Sequence, residues 1–145
     1  MSQNNIKFAL RIILGWYCLP SHNKIDIMIT FYDLGIRNDI LKAITELGFE
    51  SPMPIQEMVI PHMLEKDGDV VGLAQTGTGK TAAFGLPVLQ RIDSNKTTPQ
   101  ALIIAPTREL CLQIAGDLAD FAKYIDNLRI LPVYGGSSIE SQICK

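Results

Sequence analysis

Apolar positions in NDILKAITELGF (residues 38–49) recur at Ile40, Leu41, Ile44 and Leu47, which places them on one face of an α-helix. Asn38 or Asp39 can cap its start, and Gly48 suits the left-handed residue that follows a helix end. A second helix is predicted from Pro54, whose fixed φ suits the first helical position, through Ile55, Met58, Val59 and Met63, despite Pro61. Residues 69–74 are short, apolar and β-branched at Val70 and Val71, and read as a buried strand. Helix signals resume at Lys80. ALIIA (101–105) reads as a second buried strand and RILPVY (129–134) as a third. Between them, Leu110, Ile114, Leu118, Phe121 and Ile125 fall at helical spacing and commit one face to a core. The polar, proline-bearing stretch IDSNKTTPQ (92–100) needs only to be a surface loop. Strands alternating with helices predict an α/β domain, with a parallel sheet and right-handed crossovers.

Composition adds bounds to this picture. At 145 residues, 47% hydrophobic and 19% charged, the chain holds material for one core. A net charge of −2 and a pI near 5.6 argue against nucleic-acid binding by bulk electrostatics, so any such contact is local. Cys18, Cys111 and Cys144 lie far apart, with no CxxC and no histidine at metal-ligand spacing, which fits a reducing, cytoplasmic setting. Near the start, IKFALRIILGWYCLP places Lys7 before an apolar run, but Arg11 interrupts it and it is too short to span a bilayer. Residues 1–27 read as an extension of open role: a frayed end, a small packing helix, or sequence upstream of a start at Met28.

The candidate chemistry lies in AQTGTGKTAAFGL, residues 74–86. A phosphate needs backbone N–H groups pointing at it without side chains in the way, and Gly77 and Gly79 remove that obstruction. A helix from Lys80 adds free N–H groups and a positive dipole end, Lys80 adds a mobile charge, and the Thr81 hydroxyl is placed to ligate a magnesium ion. This is the P-loop arrangement for a nucleoside triphosphate, with Ala74 where the usual pattern begins with glycine. Gly77, Gly79 and Ala82 also satisfy a dinucleotide fingerprint, but the strand after it, ALIIAPT, lacks the terminal acidic residue that holds a ribose, and Glu109 comes too late. Lys80 and Thr81 have no purpose in that reading.

Three further stretches narrow the family. GFESPMPIQ (48–56) resembles the Q-motif of the DEAD-box RNA helicases, with Phe31 seventeen residues before Gly48 as that family's upstream aromatic. AQTGTGKT resembles its motif I, including Ala74; APTREL (105–110) contains its motif Ia, and Gly135-Gly136 is similar to the glycine pair that follows. The resemblance covers residues 31–136 in order and spacing. It implies a RecA-like P-loop domain, a parallel sheet with flanking helices, truncated at Lys145, with residues 28–145 forming part of the first helicase domain.

It implies roles too. ATP would be held by Phe31, Gln56, Ala74, Gln75, Thr76, Gly77, Thr78, Gly79, Lys80 and Thr81, with Lys80 and Thr81 serving catalysis and Thr81 the Mg. A glutamine amide can donate and accept, which complements the adenine N6 and N7 edge, and an aromatic ring can stack on a base. RNA would be met through its backbone by Pro106, Thr107, Arg108, Gly135 and Gly136, contacts that position a strand without reading it. The residues alone permit plainer readings: Gln56 as a helix cap, Phe31 as core, Thr107 as a cap and the glycines as a turn. Met53 departs from the family's Thr or Ser before Pro54, and the missing hydroxyl cap is expected to cost about 1 kcal/mol.

After Gly136 there is no DEAD sequence and no SAT motif, and the second RecA-like domain with its arginine finger is absent. ATP hydrolysis by the chain alone is therefore not expected. The alternative is a non-enzymatic piece that binds nucleotide weakly or not at all.

Overall fold

A computed structural model of the chain describes residues 29–65, 68–136 and 142. The reading of residues 1–27 lies outside them, as do Cys18 and Cys144. Four helices have their bounds among the described residues: α1 (Asn38–Glu46), α2 (Pro54–Glu65), α3 (Lys80–Arg91) and α4 (Arg108–Phe121). α3 packs against both α2 and α4, and α1 leans on α4.

The predicted face of α1 is buried at Ile40 and Ile44 and half-buried at Leu41, but Leu47 is exposed because it is already the residue that ends the helix. The chain then turns through Gly48 at φ 84°: its N–H donates to Thr45 O (3.0 Å) and that of Phe49 to Ile44 O (3.0 Å). These two bonds satisfy the carbonyls a helix end leaves open, and the left-handed φ favours glycine. Neither Asn38 nor Asp39 is the cap residue, although the Asp39 carboxylate, inside the first turn, accepts from Ile40 N–H (2.9 Å). The cap position is Arg37, with no side-chain cap bond; its N–H donates to Gln90 Oε1 (2.9 Å) from the last turn of α3, and Gln90 Nε2 donates to Gly35 O (2.7 Å).

In α2, Val59, Ile60 and Met63 face inward and Met58 faces solvent, so the apolar stripe runs one position later than the spacing implied. α4 runs as read, with Thr107 as its cap, although it stops at Phe121 and Ile125 packs from the turn beyond. Ile40, Ile60 and Leu86 are fully enclosed, each worth about 1.5–3 kcal/mol against exposure.

The three predicted strands are corrected by the structure. Among the described residues none forms a strand, and no backbone hydrogen bond joins the three segments to one another. Each keeps a period of two in its burial, the pattern of an extended chain. Val70, Ile103, Ala105 and Ile130 pack on the helical core, while Val71, Leu73, Leu102, Ile104, Leu131 and Val133 are between 42% and 83% exposed. Runs read as buried on both sides are thus covered on one. The first segment runs close to α2 at Gly72, where a Cβ would make ordinary contact with Ile55 Cδ1 (3.7 Å) and Val59 Cγ2 (3.8 Å). No helix among the described residues is long and apolar enough to cross a membrane.

Where α3 meets α4, a Cβ on Gly85 would stand 2.7 Å from Leu118 Cδ2. Alanine would gain about 1 kcal/mol of helix propensity, but overpacking costs about 1–3 kcal/mol. Gly85→Ala is therefore expected to lower the urea midpoint, with a net loss of about 1 kcal/mol at unchanged m-value; a raised midpoint would mean that Leu118 gives way freely. A second expectation concerns Glu46, whose carboxylate accepts from Lys123 Nζ (2.6 Å) and the Tyr124 hydroxyl, tying α1 to the end of α4. Those bonds, Lys123 first, hold its pKa below the usual carboxylate range. A depressed native pKa stabilises above the unfolded value and is lost as pH falls through the folded one. Glu46→Gln should therefore lower the melting temperature at neutral pH, and the difference from wild type should close on acidification; a difference independent of pH would refute the assignment.

Candidate functional site

The third residue of α2 is Gln56, 1% exposed. Its Oε1 accepts from Met53 N–H (2.8 Å), so the side chain reaches back over the helix start and supplies half of a capping box. The hydroxyl that Met53 lacks would have accepted from Gln56 N–H, which donates to Met53 O instead (2.8 Å). Its Nε2 donates to Gly79 O (3.0 Å) in the glycine loop. The Gly79 carbonyl also accepts the first helical bond of α3, from Ala83 N–H (3.0 Å), so both its lone pairs are used. Glycine is required at 79 for two independent reasons: φ is 74°, and a Cβ would fall 2.2 Å from Gln56 Nε2.

From that pinned residue the loop is built outward. Lys80 opens α3 and turns its ammonium back into the loop, donating to Ala74 O (2.9 Å) and to Gln75 O. Thr78 Oγ1 donates to Gln75 O as well (2.7 Å). Gln75, Thr76 and Gly77 are exposed at the tip, where Gly77 has φ 79°, and Thr81 sits half-buried in the first turn of α3. The structure thus joins Gln56, Ala74, Gln75, Thr78, Gly79 and Lys80 in one constellation. Phe31 is placed elsewhere: it is 4% exposed, its ring tilted against Phe49 at 5.9 Å, and Phe49 in turn meets Phe121 edge-on at 5.7 Å. This aromatic row is the core role that its residue type favours.

A second cluster forms at the start of α4. Thr107 Oγ1 accepts from Leu110 N–H (3.2 Å), the capping role its residue type predicts. Arg108, exposed, lays its guanidinium 4.6 Å from the centre of the Tyr134 ring. Gly136, at φ 84°, lies beside it, where a Cβ would be 3.6 Å from Arg108 Nη1. Pro106 and Gly135 are exposed next to these residues in the chain. Behind the cluster, Cys111 Sγ donates to Val133 O (3.8 Å) and Gln142 pairs with the backbone of Tyr134. Tyr134, Gln142 and the Met53 amide were not singled out from sequence. Tyr134 had a signal, since it precedes the glycine pair; Gln142 had none. No group of three or more His, Cys, Asp or Glu residues is placed to hold a metal among the described residues.

Comparison with known proteins gives this geometry its context. The model of the DEAD/DEAH box helicase family matches residues 53–145. The chain is 52% identical over 115 residues to the ATP-dependent RNA helicase DeaD of Haemophilus influenzae, covering 79% of this chain and 19% of that protein. It is 48% identical over 116 residues to the DEAD-box ATP-dependent RNA helicase CshA of Bacillus cereus, covering 80% and 22%. The chain therefore spans about a fifth of the length of these relatives. Among solved structures it is similar to a DEAD box protein from the hyperthermophile Methanococcus jannaschii, with TM-score 0.74, 40% identity, and coverage of 79% of this chain and 31% of that one. It is also similar to Saccharomyces cerevisiae Dbp5 bound to RNA and ADP BeF3, with TM-score 0.63, 36% identity, and coverage of 66% and 25%. With the family model matching well over half its length, the chain belongs to the DEAD/DEAH box helicase family.

Proposed function

We propose that this chain supplies the ATP-binding loop and part of the RNA-backbone contact of an ATP-dependent RNA helicase, within a RecA-like arrangement whose sheet positions are taken by residues 69–74, 101–105 and 129–134. The observation that carries this reading is the loop from Ala74 to Thr81. Its left-handed Gly79 is held by Gln56, and its lysine stands at the start of a helix with a mobile charge.

The residues present fit a nucleotide. Helix α3 offers the free N–H groups of its first turn, and glycines at 77 and 79 keep the approach clear of Cβ atoms. The Lys80 ammonium rests on two carbonyl oxygens, and exchanging these neutral acceptors for anionic phosphate oxygens would be favourable. Thr81, with the phosphates, would hold the magnesium ion, which neutralises phosphate charge when bound. Gln56 spends one donor and one acceptor on Gly79 and Met53, so reading adenine would use its second N–H and second lone pair. Phe31 enters as a base-stacking residue by resemblance alone. For RNA, the observation in favour is the adjacency of Arg108 and Gly136: a cation beside backbone with no side chain in the way.

Two measurements follow. A fluorescent ADP analogue is expected to bind the purified chain with magnesium, to be displaced by ADP and not by GDP, and to lose about 10- to 100-fold in affinity in Lys80→Ala, the worth of a charge-assisted bond. A folded chain that does not bind, or binds GDP equally, would defeat the adenine-nucleotide reading. Gln56→Glu separates the latch from base recognition. A carboxylate can still accept from Met53 but meets the Gly79 carbonyl oxygen to oxygen, and burial raises its pKa. Protonation restores a donor, so this variant is expected to gain stability relative to wild type as pH falls from about 8 to about 5. A deficit unchanged across that range would remove Gly79 as the partner that matters.

A further inference from the structure

The Arg108 guanidinium is placed by two groups that nothing in the sequence motifs names. Its Cζ lies 4.6 Å from the centre of the Tyr134 ring, within the range at which a cation is attracted to an aromatic face. Nη1 is on the side of Gly136, where a Cβ would lie 3.6 Å from it, and Arg108 as a residue is exposed. Tyr134 is itself fixed at the backbone: Gln142 Oε1 accepts from Tyr134 N–H (3.0 Å) and Gln142 Nε2 donates to Tyr134 O (3.2 Å). One buried amide thereby closes both hydrogen-bonding groups of the residue that precedes Gly135-Gly136. Among the described residues no carboxylate pairs with Arg108, so its charge is left for an external anion.

We propose that Tyr134 is the positioning residue for Arg108, holding the guanidinium beside Gly136 so that it meets an RNA phosphate in one geometry, with Gln142 locking Tyr134 in place. This rests on the reading of Arg108 as a phosphate contact. A long exposed arginine otherwise spends rotamer freedom on each contact, and an aromatic shelf removes that loss in advance. The ring does the work and the phenolic hydroxyl does not, so phenylalanine should substitute for Tyr134 and leucine should not.

The test uses the full chain in four forms: wild type, Arg108→Gln, Tyr134→Phe and Tyr134→Leu, with labelled oligouridylate as probe. Binding is followed against salt, and ADP-analogue affinity serves as a control for folding. Loss of one phosphate contact on a single strand lowers the slope of log K against log [salt] by about 0.7. Arg108→Gln and Tyr134→Leu should both show that loss with ADP affinity unchanged, and Tyr134→Phe should keep the wild-type slope. A second readout is independent of RNA: the ring current of Tyr134 should shift the Arg108 Nε–Hε resonance in wild type and Tyr134→Phe, and the shift should vanish in Tyr134→Leu. A loss in Arg108→Gln without one in Tyr134→Leu overturns the positioning role. No loss in Arg108→Gln overturns the phosphate reading beneath it, whatever Tyr134 does to the resonance.

Discussion

The bond from Gln56 Nε2 to the Gly79 carbonyl joins residues 23 apart in the chain, and the placement of the glycine loop depends on it. Gly79 is where an extended segment stops and α3 starts, so its carbonyl fixes both the direction of the helix and the turn of the loop. The same amide caps α2 through Met53, which makes the start of one helix the support for the start of the next. A buried amide with both ends engaged is stable; with one end free it leaves an unpaired polar group in the interior. The two bonds therefore stand or fall together, and so does the position from which Lys80 extends.

This use of glutamine recurs. Gln90 joins Arg37 N–H and Gly35 O, Gln100 takes both N–H (3.0 Å) and C=O (2.8 Å) of Asp93, and Gln142 takes both groups of Tyr134. A primary amide presents a donor and an acceptor side by side, as a peptide group does, and so can replace a neighbouring strand over the span of one residue. In a chain whose extended segments form no ladder among the described residues, these side chains hold turns that would otherwise depend on a sheet. They do so only locally. The outward row of Val71, Leu73, Leu102, Ile104, Leu131 and Val133 has no such substitute and remains an apolar surface.

The helices were legible because periodicity is a local signal: the faces of α1 and α4, the Thr107 cap and the left-handed Gly48 all follow from residues within one or two turns. Errors arose where a partner lay far away. The cap of α1 fell to Arg37 because Gln90, 53 residues on, takes its N–H. Met58 faces solvent although its spacing fits the stripe, while Ile60 two positions on is enclosed in the core. An all-apolar run such as ALIIA says that burial is possible on both faces, but not how many faces are covered. At the site, the loop was readable from its glycines and lysine, whereas the inward turn of Gln56 and the Tyr134 shelf depend on contacts that no spacing encodes.

Both candidate sites are built alike, and the likeness bears on what they bind. α3 opens with Lys80 and α4 with Arg108, each a cation at the helix end where the backbone dipole is already positive. That placement is unfavourable by about 0.3–1 kcal/mol at an exposed helix end. α1 has a cation at its cap too, but Arg37 is paired with Asp39 (2.8 Å); α2 carries Glu57 in its first turn, and α4 offsets its cation in part with Glu109. α3 has no acidic residue there at all. Lys80 bends back onto loop carbonyls, and Arg108 lies 4.6 Å from the centre of the Tyr134 ring, so each charge has a local partner. An anion between the cation and the helix N–H groups would relieve the unfavourable placement more completely, since both would then face an opposite charge. Under the proposed reading, an anion would be favoured most at the start of α3, where no acidic residue offsets Lys80.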